Sequence, residues 1–138
     1  MLTRSPKPSL RRLRRTDLFK SGFCVWGEVE GLTAEVDGRI VGYAGVQKLG
    51  VHYWAFFNVF DDIVLAPFWL HRLVKNVLGS YEKLGIGPIY SLLDPVPTAE
   101  RWHEVLGFRP LIGDERDDEV LACEAQDGRV AWIKGGAR

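Results

Sequence analysis

Histidine is the side chain in this sequence most suited to moving a proton near neutral pH, and the chain contains three. His103 lies in a predicted short helix, and an imidazole that faces a cleft could act as a general acid because it titrates near the pH at which such a proton is useful. The alternative for His103 is a half-exposed helix histidine that is satisfied by solvent. His52 and His71 have no partner that the sequence identifies, and three histidines spread this widely do not form a metal site.

The segment around His103 predicts a strand, a connector, a short helix and a second strand. Ile89–Leu93 is a short apolar run bounded by prolines, as expected for a buried central strand. Thr98 suits the N-cap of a helix over 98–106, and Gly107 suits a left-handed cap that ends it. Three residues at helical spacing form the inward face of this helix: Ala99, Trp102 and Leu106.

Two Asp-Gly pairs predict hairpins, because this dipeptide favours the tight turns that connect antiparallel strands. The first hairpin joins 33–36 to 39–46, and the second joins 119–124 to 130–133. Both Gly38 and Gly128 are therefore expected in two-residue turns with positive φ. A long aromatic strand is predicted over 51–60.

The longest helix is predicted over 66–84, where apolar residues recur at helical spacing and Pro67 suits the first helical position. Near the N-terminus, a short helix is expected from about Leu18, capped by Thr16 or Asp17. The sequence therefore predicts one α+β domain over 1–138, with 1–8 loose. Its sheet is mixed, mostly antiparallel and twisted, and carries a long and a short helix.

Composition and the pattern of apolar residues narrow the expected partners and the expected location. Lys plus Arg and Asp plus Glu each number 18, so no net charge favours nucleic acid. No apolar run is long enough to span a membrane, and the basic N-terminus lacks the apolar segment of a signal peptide. Cys24 and Cys123 lack metal-site spacing and are expected as free thiols in a reducing compartment. The expected location is the cytoplasm.

Three segments together resemble the GNAT superfamily of N-acyltransferases. "AERWHEVLGF" resembles its late helix and strand, where a tyrosine five residues before the phenylalanine often protonates the leaving thiolate of acyl-CoA; that position is His103. "EVDGRIVGYAGV" is similar to its second and third strands. Residues 9–18 resemble its first strand and the aspartate that follows.

The resemblance implies an N-acetyltransferase that uses acetyl-CoA and a small-molecule or protein amine acceptor. The cofactor is expected between the aromatic strand and the strand at Ile89. Four residues are the expected contacts: Val59, Phe68, Trp69 and Leu93. Asp61 or Asp62 would remove the proton of the amine through water, and Glu35 is a weaker candidate for this role. The alternative is that both aspartates only end the strand and stay solvated.

The segment before the main helix departs from the superfamily, which places a basic, glycine-rich loop there. Residues 61–69 contain no glycine, Pro67 removes one N–H donor, and Asp61 and Asp62 would repel phosphate. This departure favours a second hypothesis, a non-catalytic GNAT-like binding or structural protein. Small members of this kind resemble internal virion components of short-tailed bacteriophages, which would place the protein in a virion. A homodimer or larger assembly is plausible for an aromatic-rich sheet.

Overall fold

A mixed β-sheet forms the centre of the computed structural model, which describes residues 8–21, 28–59 and 67–135. The described part contains seven strands: β1 Ser9–Arg12, β2 Val29–Val36, β3 Arg39–Leu49, β4 His52–Val59, β5 Ile89–Leu93, β6 Arg109–Pro110 and β7 Val130–Lys134. Its α-helices are α1 Pro67–Lys83, α2 Pro97–Val105 and α3 Asp118–Asp127. Two 3₁₀-helices span Arg15–Ser21 and Gly113–Glu115. The predicted α+β fold class is confirmed.

The strands lie in the order β1-β2-β3-β4-β5-β7-β6. Every neighbouring pair is antiparallel except β4 and β5, which run parallel. A parallel pair needs a crossover connection, and α1 lies in the connection between β4 and β5. The predicted mixed, mostly antiparallel sheet is therefore the one observed.

The first predicted hairpin is confirmed. β2 and β3 pair antiparallel, and Val36 lies opposite Arg39 across a two-residue turn. Asp37 has φ 51° and Gly38 has φ 77°. Positive φ at both turn positions is what a type I′ turn requires, and the Asp-Gly pair supplies it.

The second predicted hairpin is wrong, because residues 119–124 lie within α3. The side chain of Asp117 accepts a hydrogen bond from the backbone N–H of Val120 at 3.0 Å and caps the helix, and acidic residues fill its first turn. Gly128 has positive φ, as predicted, but it does so as the left-handed cap of α3. A left-handed glycine serves a hairpin turn and a helix end equally well. β7 pairs instead with β5 and β6.

The observed helix boundaries agree closely with the predicted ones, except at the N-termini of two helices. Pro67 begins α1, and Gly107, at φ 94°, follows α2. Val96 rather than Thr98 is the N-cap residue of α2, because Pro97 takes the first helical position. Asp17 does not cap a helix from Leu18; it lies inside a 3₁₀-helix and accepts a hydrogen bond from the backbone N–H of Arg14.

Hydrophobic cores lie on both faces of the sheet. On one face, buried residues of the sheet pack with Leu73, Val74, Val77 and Leu78 of α1, and Leu106 after α2 joins them. On the other face, Val120 of α3 packs with strand residues in a second cluster. Leu18 of the first 3₁₀-helix packs with Leu13 and Tyr43 in a third. The sheet is therefore covered on both sides, as an α+β sandwich requires.

A buried ion pair joins β1, β2 and the first 3₁₀-helix. Asp17 is 3% exposed and accepts hydrogen bonds from both Nη atoms of Arg11 and from the hydroxyl of Thr33, at 2.7–2.9 Å. Burial alone would raise the pKa of Asp17, but the hydrogen bonds from Arg11, the Arg14 N–H and Thr33 outweigh it and lower the pKa to about 2. Arg11 also binds Glu35 through Nε.

Candidate active site

A cleft opens where the two parallel strands separate. β4 and β5 pair only between Tyr53–Ala55 and Ile89–Ser91, although β4 continues to Val59 and β5 to Leu93. In open sheets, ligands bind beyond the carboxyl ends of parallel strands, where the chain leaves in different directions. The cleft here encloses about 540 Å³, which suits a small-molecule site.

Residues from both faces of the sheet line the cleft. Its first half, called the α2 half, is lined by Ala55, Phe57, Ser91, Ala99, Trp102 and His103. Its second half, called the α3 half, is lined by Tyr43, Gln47, Leu49, Trp54, Phe56, Leu92 and Cys123. The two halves follow from the alternation of side chains along β3, β4 and β5.

His103 is buried at the base of the α2 half, with a relative exposure of 3%. Its Nδ1 lies 2.8 Å from the carbonyl oxygen of Ala99, one helical turn earlier. Its Nε2 lies 2.8 Å from Oγ of Ser91. A carbonyl oxygen only accepts, so Nδ1 carries the proton, and Nε2 of the neutral ring accepts from the Ser91 hydroxyl. The alternative of a half-exposed, solvent-satisfied histidine is therefore wrong.

Aromatic rings surround the imidazole. The ring centroids of Phe57, Phe108 and Trp132 lie 5.7, 5.3 and 6.2 Å from that of His103. Burial lowers the pKa of His103, and the hydrogen bond to Ala99 opposes this only in part. His103 is therefore neutral at neutral pH and keeps a basic nitrogen directed at Ser91.

The local sequence explains why these two side chains meet. Ala99, His103 and Leu106 recur at i, i+4 and i+7, so His103 lies on the inward stripe of α2. Ser91 alternates with Tyr90 and Leu92 along β5 and therefore points to the face that α2 covers. Ser91 was missed in the sequence, although a serine within the apolar run of a buried strand was a usable signal.

Gln47 is a second polar residue that sequence analysis missed. It lies near the end of β3, opposite Trp54, and is 8% exposed. Its Oε1 is buried and has no hydrogen-bond partner among the residues that the structure describes. A buried carbonyl oxygen without a partner costs about 1–3 kcal/mol. The signal in the sequence was a single amide side chain near the end of a mostly apolar strand.

The remaining predicted site residues are spread over the fold. Leu93 is half-buried at the end of β5 and packs against the core. Glu35 binds Arg11 on β1 and does not line the cleft. Val59 ends β4, and the first turn of α1 contains two further predicted contacts, Phe68 and Trp69, whose side chains lie outside the described part. Asp61 and Asp62 lie outside the described residues.

The other two histidines lie away from the cleft lining. Nε2 of His52 lies 2.6 Å from an oxygen of Asp117, and its ring packs edge-on against Tyr90, so His52 has partners that the sequence did not identify. The ring of His71 lies 6.2 Å from that of Trp102. In residues 8–21, 28–59 and 67–135, no three His, Cys, Asp or Glu side chains come together as a metal-binding group.

An ion pair lies at the edge of the cleft. Nη1 of Arg129 lies 2.8 Å from an oxygen of Asp94, and Arg129 also binds Asp127. Both Asp94 and Arg129 line the cleft. Because their charges neutralise each other, the cleft presents no net charge from this pair to a ligand.

No protein-family model matches the sequence, and no curated protein matches it. Solved structures do match the fold. The chain superposes on N-acetylglutamate synthase from Neisseria gonorrhoeae, complexed with coenzyme A and N-acetyl-glutamate, with a TM-score of 0.64 and 14% identity. The match covers 98% of this chain and 36% of that one. The chain thus spans about a third of that enzyme.

Two further structures match over most of their own length. An acyl-CoA N-acyltransferase from Pseudomonas aeruginosa gives a TM-score of 0.62 at 12% identity, covering 94% of this chain and 100% of that one. A GNAT-family N-acetyltransferase from Escherichia coli in complex with CoA gives a TM-score of 0.56 at 15% identity, covering 97% of this chain and 84% of that one. The chain has the GNAT fold.

The GNAT fold confirms the expected architecture and the superfamily resemblance at the level of fold. None of these three structures is of a phage virion component, so the phage alternative stays an untested prediction. No helix within the described residues is long and apolar enough to cross a membrane.

Proposed function

We propose that the protein is an N-acyltransferase that transfers an acyl group from acyl-CoA, acetyl-CoA in the first instance, to an amine. The observation that carries this proposal is the cleft at the β4–β5 divergence, with Ser91 and His103 at its base. The GNAT fold supports it, because the structures compared above include an acyl-CoA N-acyltransferase and a GNAT-family N-acetyltransferase, and two of them are complexed with coenzyme A. The proposal requires that one half of the cleft take the donor and the other the acceptor.

We propose that the open edge of β4 holds the pantetheine arm of acyl-CoA. Beyond Ala55, β4 presents a strand edge that β5 does not pair with, and backbone N–H and C=O groups there can bind the amides of an extended ligand. Leu93 and Val59, at the ends of the two strands, are the proposed contacts. Acyl-CoA supplies an activated acyl group and a thiolate leaving group. The proposed contacts Phe68 and Trp69 belong to the first turn of α1.

Proton movement is the chemistry that this chain would contribute. A protonated amine must lose one proton before it attacks and a second as the amide forms. We assign the first to Asp61 or Asp62, through water. The second is assigned to His103: the Ser91 hydroxyl passes its proton to Nε2 while it receives one from the amine nitrogen. The reverse transfer gives that proton to the sulfur of the leaving thiolate.

This assignment follows from the hydrogen bonds of His103. Because Nδ1 donates to the Ala99 carbonyl, Nε2 is the nitrogen available for exchange, and Ser91 stands next to it. Burial keeps the ring neutral and therefore able to accept a proton at neutral pH. His103 thus first accepts the proton and then acts as the general acid toward the thiolate.

The proposal is tested by following CoA thiol release from acetyl-CoA in the presence of a panel of amines. His103→Phe should leave acetyl-CoA affinity nearly unchanged and lower turnover by ~10²-fold, the usual scale for a positioned proton-transfer group. Equal turnover in the wild type and His103→Phe would show that His103 takes no part in the reaction.

The non-catalytic alternative is favoured by one observation, the absence of glycine from residues 61–69 together with Pro67. A protein of this kind would retain the fold and bind neither acetyl-CoA nor its analogues. Binding of acetyl-CoA separates the two functions before any turnover is measured.

A further inference from the structure

The α3 half of the cleft contains a buried oxygen that lacks a protein partner. Oε1 of Gln47 is buried, and no described residue donates a hydrogen bond to it. Buried polar groups in native proteins almost always form hydrogen bonds. An unpaired buried group that lines a cleft therefore indicates that a ligand or a water supplies the missing hydrogen bond. A carbonyl oxygen accepts hydrogen bonds, so the missing partner is an N–H or O–H donor.

Aromatic side chains line the same half of the cleft as Gln47. Trp54 lies directly opposite Gln47 in the sheet register, and Tyr43 and Phe56 lie on the same face. Tyr43 and Phe56 pack edge to face, with ring centroids 6.0 Å apart. Such a lining favours a flat, apolar ligand, because aromatic rings gain most from packing against other rings.

The described residues that line the α3 half carry no charged side chain. The nearest charges along the cleft, Asp94 and Arg129, are paired with each other. A carboxylate or phosphate buried here would lack a counter-charge, which is costly. Anionic acceptors are therefore poor ligands for this half.

We propose that the α3 half binds the acceptor, and that the acceptor is a primary arylalkylamine whose ring carries an N–H or O–H that donates to Oε1 of Gln47. This inference rests on the proposed acyl transfer. Gln47 on β3 and Ser91 on β5 are two strands apart, roughly 10 Å at the usual strand spacing. The ring would therefore lie at Gln47, and an ethylamine chain would bring the nitrogen to the β4–β5 gap.

Three amines of nearly equal shape test this assignment by calorimetry, without any CoA present. Tyramine carries a ring donor, phenethylamine carries no polar ring group, and 4-methoxyphenethylamine carries only an acceptor. Tyramine should bind about tenfold more tightly than the other two, the scale of one hydrogen bond to a buried partner. Equal affinity for all three, or a preference for the methoxy compound, would overturn the inference.

Gln47→Met is the matched variant, since methionine keeps the length of the side chain and removes the carbonyl. It should bind all three amines equally. Its melting temperature should be unchanged or higher, because a buried unpaired oxygen is removed. A large loss of stability would show that the Gln47 side chain already has partners within the protein. A preference for tyramine that survives in Gln47→Met would show that Gln47 does not select the ligand.

Cys123 supplies a readout that needs no variant, because it lines the same half of the cleft. Saturating tyramine should slow its alkylation by N-ethylmaleimide, followed by the mass of the Cys123 peptide; unchanged alkylation would contradict binding in this half. Since neither measurement contains acetyl-CoA, selective tyramine binding without CoA release would reject only the acyl transfer. CoA release with another amine, without tyramine binding, would reject only the acceptor class.

Discussion

The hydroxyl oxygen of Ser91 lies 2.8 Å from Nε2 of His103, at the point where β4 and β5 separate. The other ring nitrogen is held by the carbonyl of Ala99. Nε2 is therefore the ring nitrogen left to exchange a proton with a ligand, and Ser91 contacts it. One hydrogen bond thus joins a strand residue to a helix residue 12 positions away in the chain, and we propose that the two act as one proton-transfer unit.

Removing the Ser91 hydroxyl should prevent His103 from exchanging protons with the substrates. Ser91→Ala is expected to lower kcat by ~10²-fold with little change in the KM for acetyl-CoA, since the loss is confined to proton transfer. The fall in rate at acidic pH, where His103 becomes protonated, should also disappear. Ser91→Thr keeps the hydroxyl and should retain this pH dependence. Wild-type kinetics in Ser91→Ala would exclude the relay.

The burial of His103 should make stability depend on pH. Its folded pKa lies below the ordinary value of 6.5, so just below pH 6.5 the unfolded chain binds a proton that the native protein does not. Stability should therefore fall as pH decreases from 6.5 to the folded pKa. Denaturant unfolding at pH 7.5, 6.5 and 5.5 measures this slope, and His103→Phe should show a shallower one. Identical slopes in both proteins would contradict the assigned burial.

The Arg11–Asp17 pair should be important for stability. Asp17→Asn is expected to destabilise by about 2–3 kcal/mol, because Arg11 and Thr33 lose a buried acceptor. The pKa of Asp17 is lowered to about 2, so its contribution is present above 3.8 and is lost as pH falls through about 2. The variant should lack this acid-dependent loss in denaturant unfolding.

The exposed pair of Asp94 and Arg129 is the control for that measurement. Asp94 has a side-chain exposure of 64%, so Asp94→Asn should change stability by less than about 1 kcal/mol. A cost as large as that of Asp17→Asn would show that burial does not distinguish the two pairs.

Two glycines should respond in opposite directions to the same substitution. A Cβ at Gly31 would clash with the carbonyl oxygen of Ala44 and would lie 2.6 Å from Cα of Gly45, so Gly31→Ala should destabilise by about 2–3 kcal/mol. A Cβ at Gly79 in α1 meets no atom within 4 Å, so Gly79→Ala should stabilise by about 1 kcal/mol. Melting temperatures that shift in the same direction would contradict the packing of β2 on β3.

Much of the sheet could be predicted because its signals are local. The Asp37-Gly38 turn needs positive φ at two adjacent residues, and the flanking strands alternate visibly. The second Asp-Gly pair carried the same signal, but Gly128 ends a helix instead. A glycine with positive φ occurs both in hairpin turns and at helix ends, so Gly128 alone does not identify the element before it. The N-cap residue Asp117 identifies that element as a helix.

The candidate site could be predicted only in part. His103 was found through a family resemblance and its place on α2. Ser91 and Gln47 were missed because their significance depends on non-local neighbours: an imidazole from α2 in one case, and the absence of any partner in the other. Periodicity gives the face on which a side chain lies and not the atoms that it meets there.

Calorimetric titration of the wild-type protein with acetyl-CoA tests the central claim most directly. Saturable binding with a Kd below about 1 mM is expected, in the range in which such enzymes work. A parallel titration with ATP, which shares the adenine and phosphates but lacks the pantetheine arm, should be much weaker, because the cleft between β4 and β5 is proposed to hold the arm. Absence of saturable heat with acetyl-CoA at millimolar concentration, or equal binding of ATP, would contradict an acyl-CoA site in this cleft.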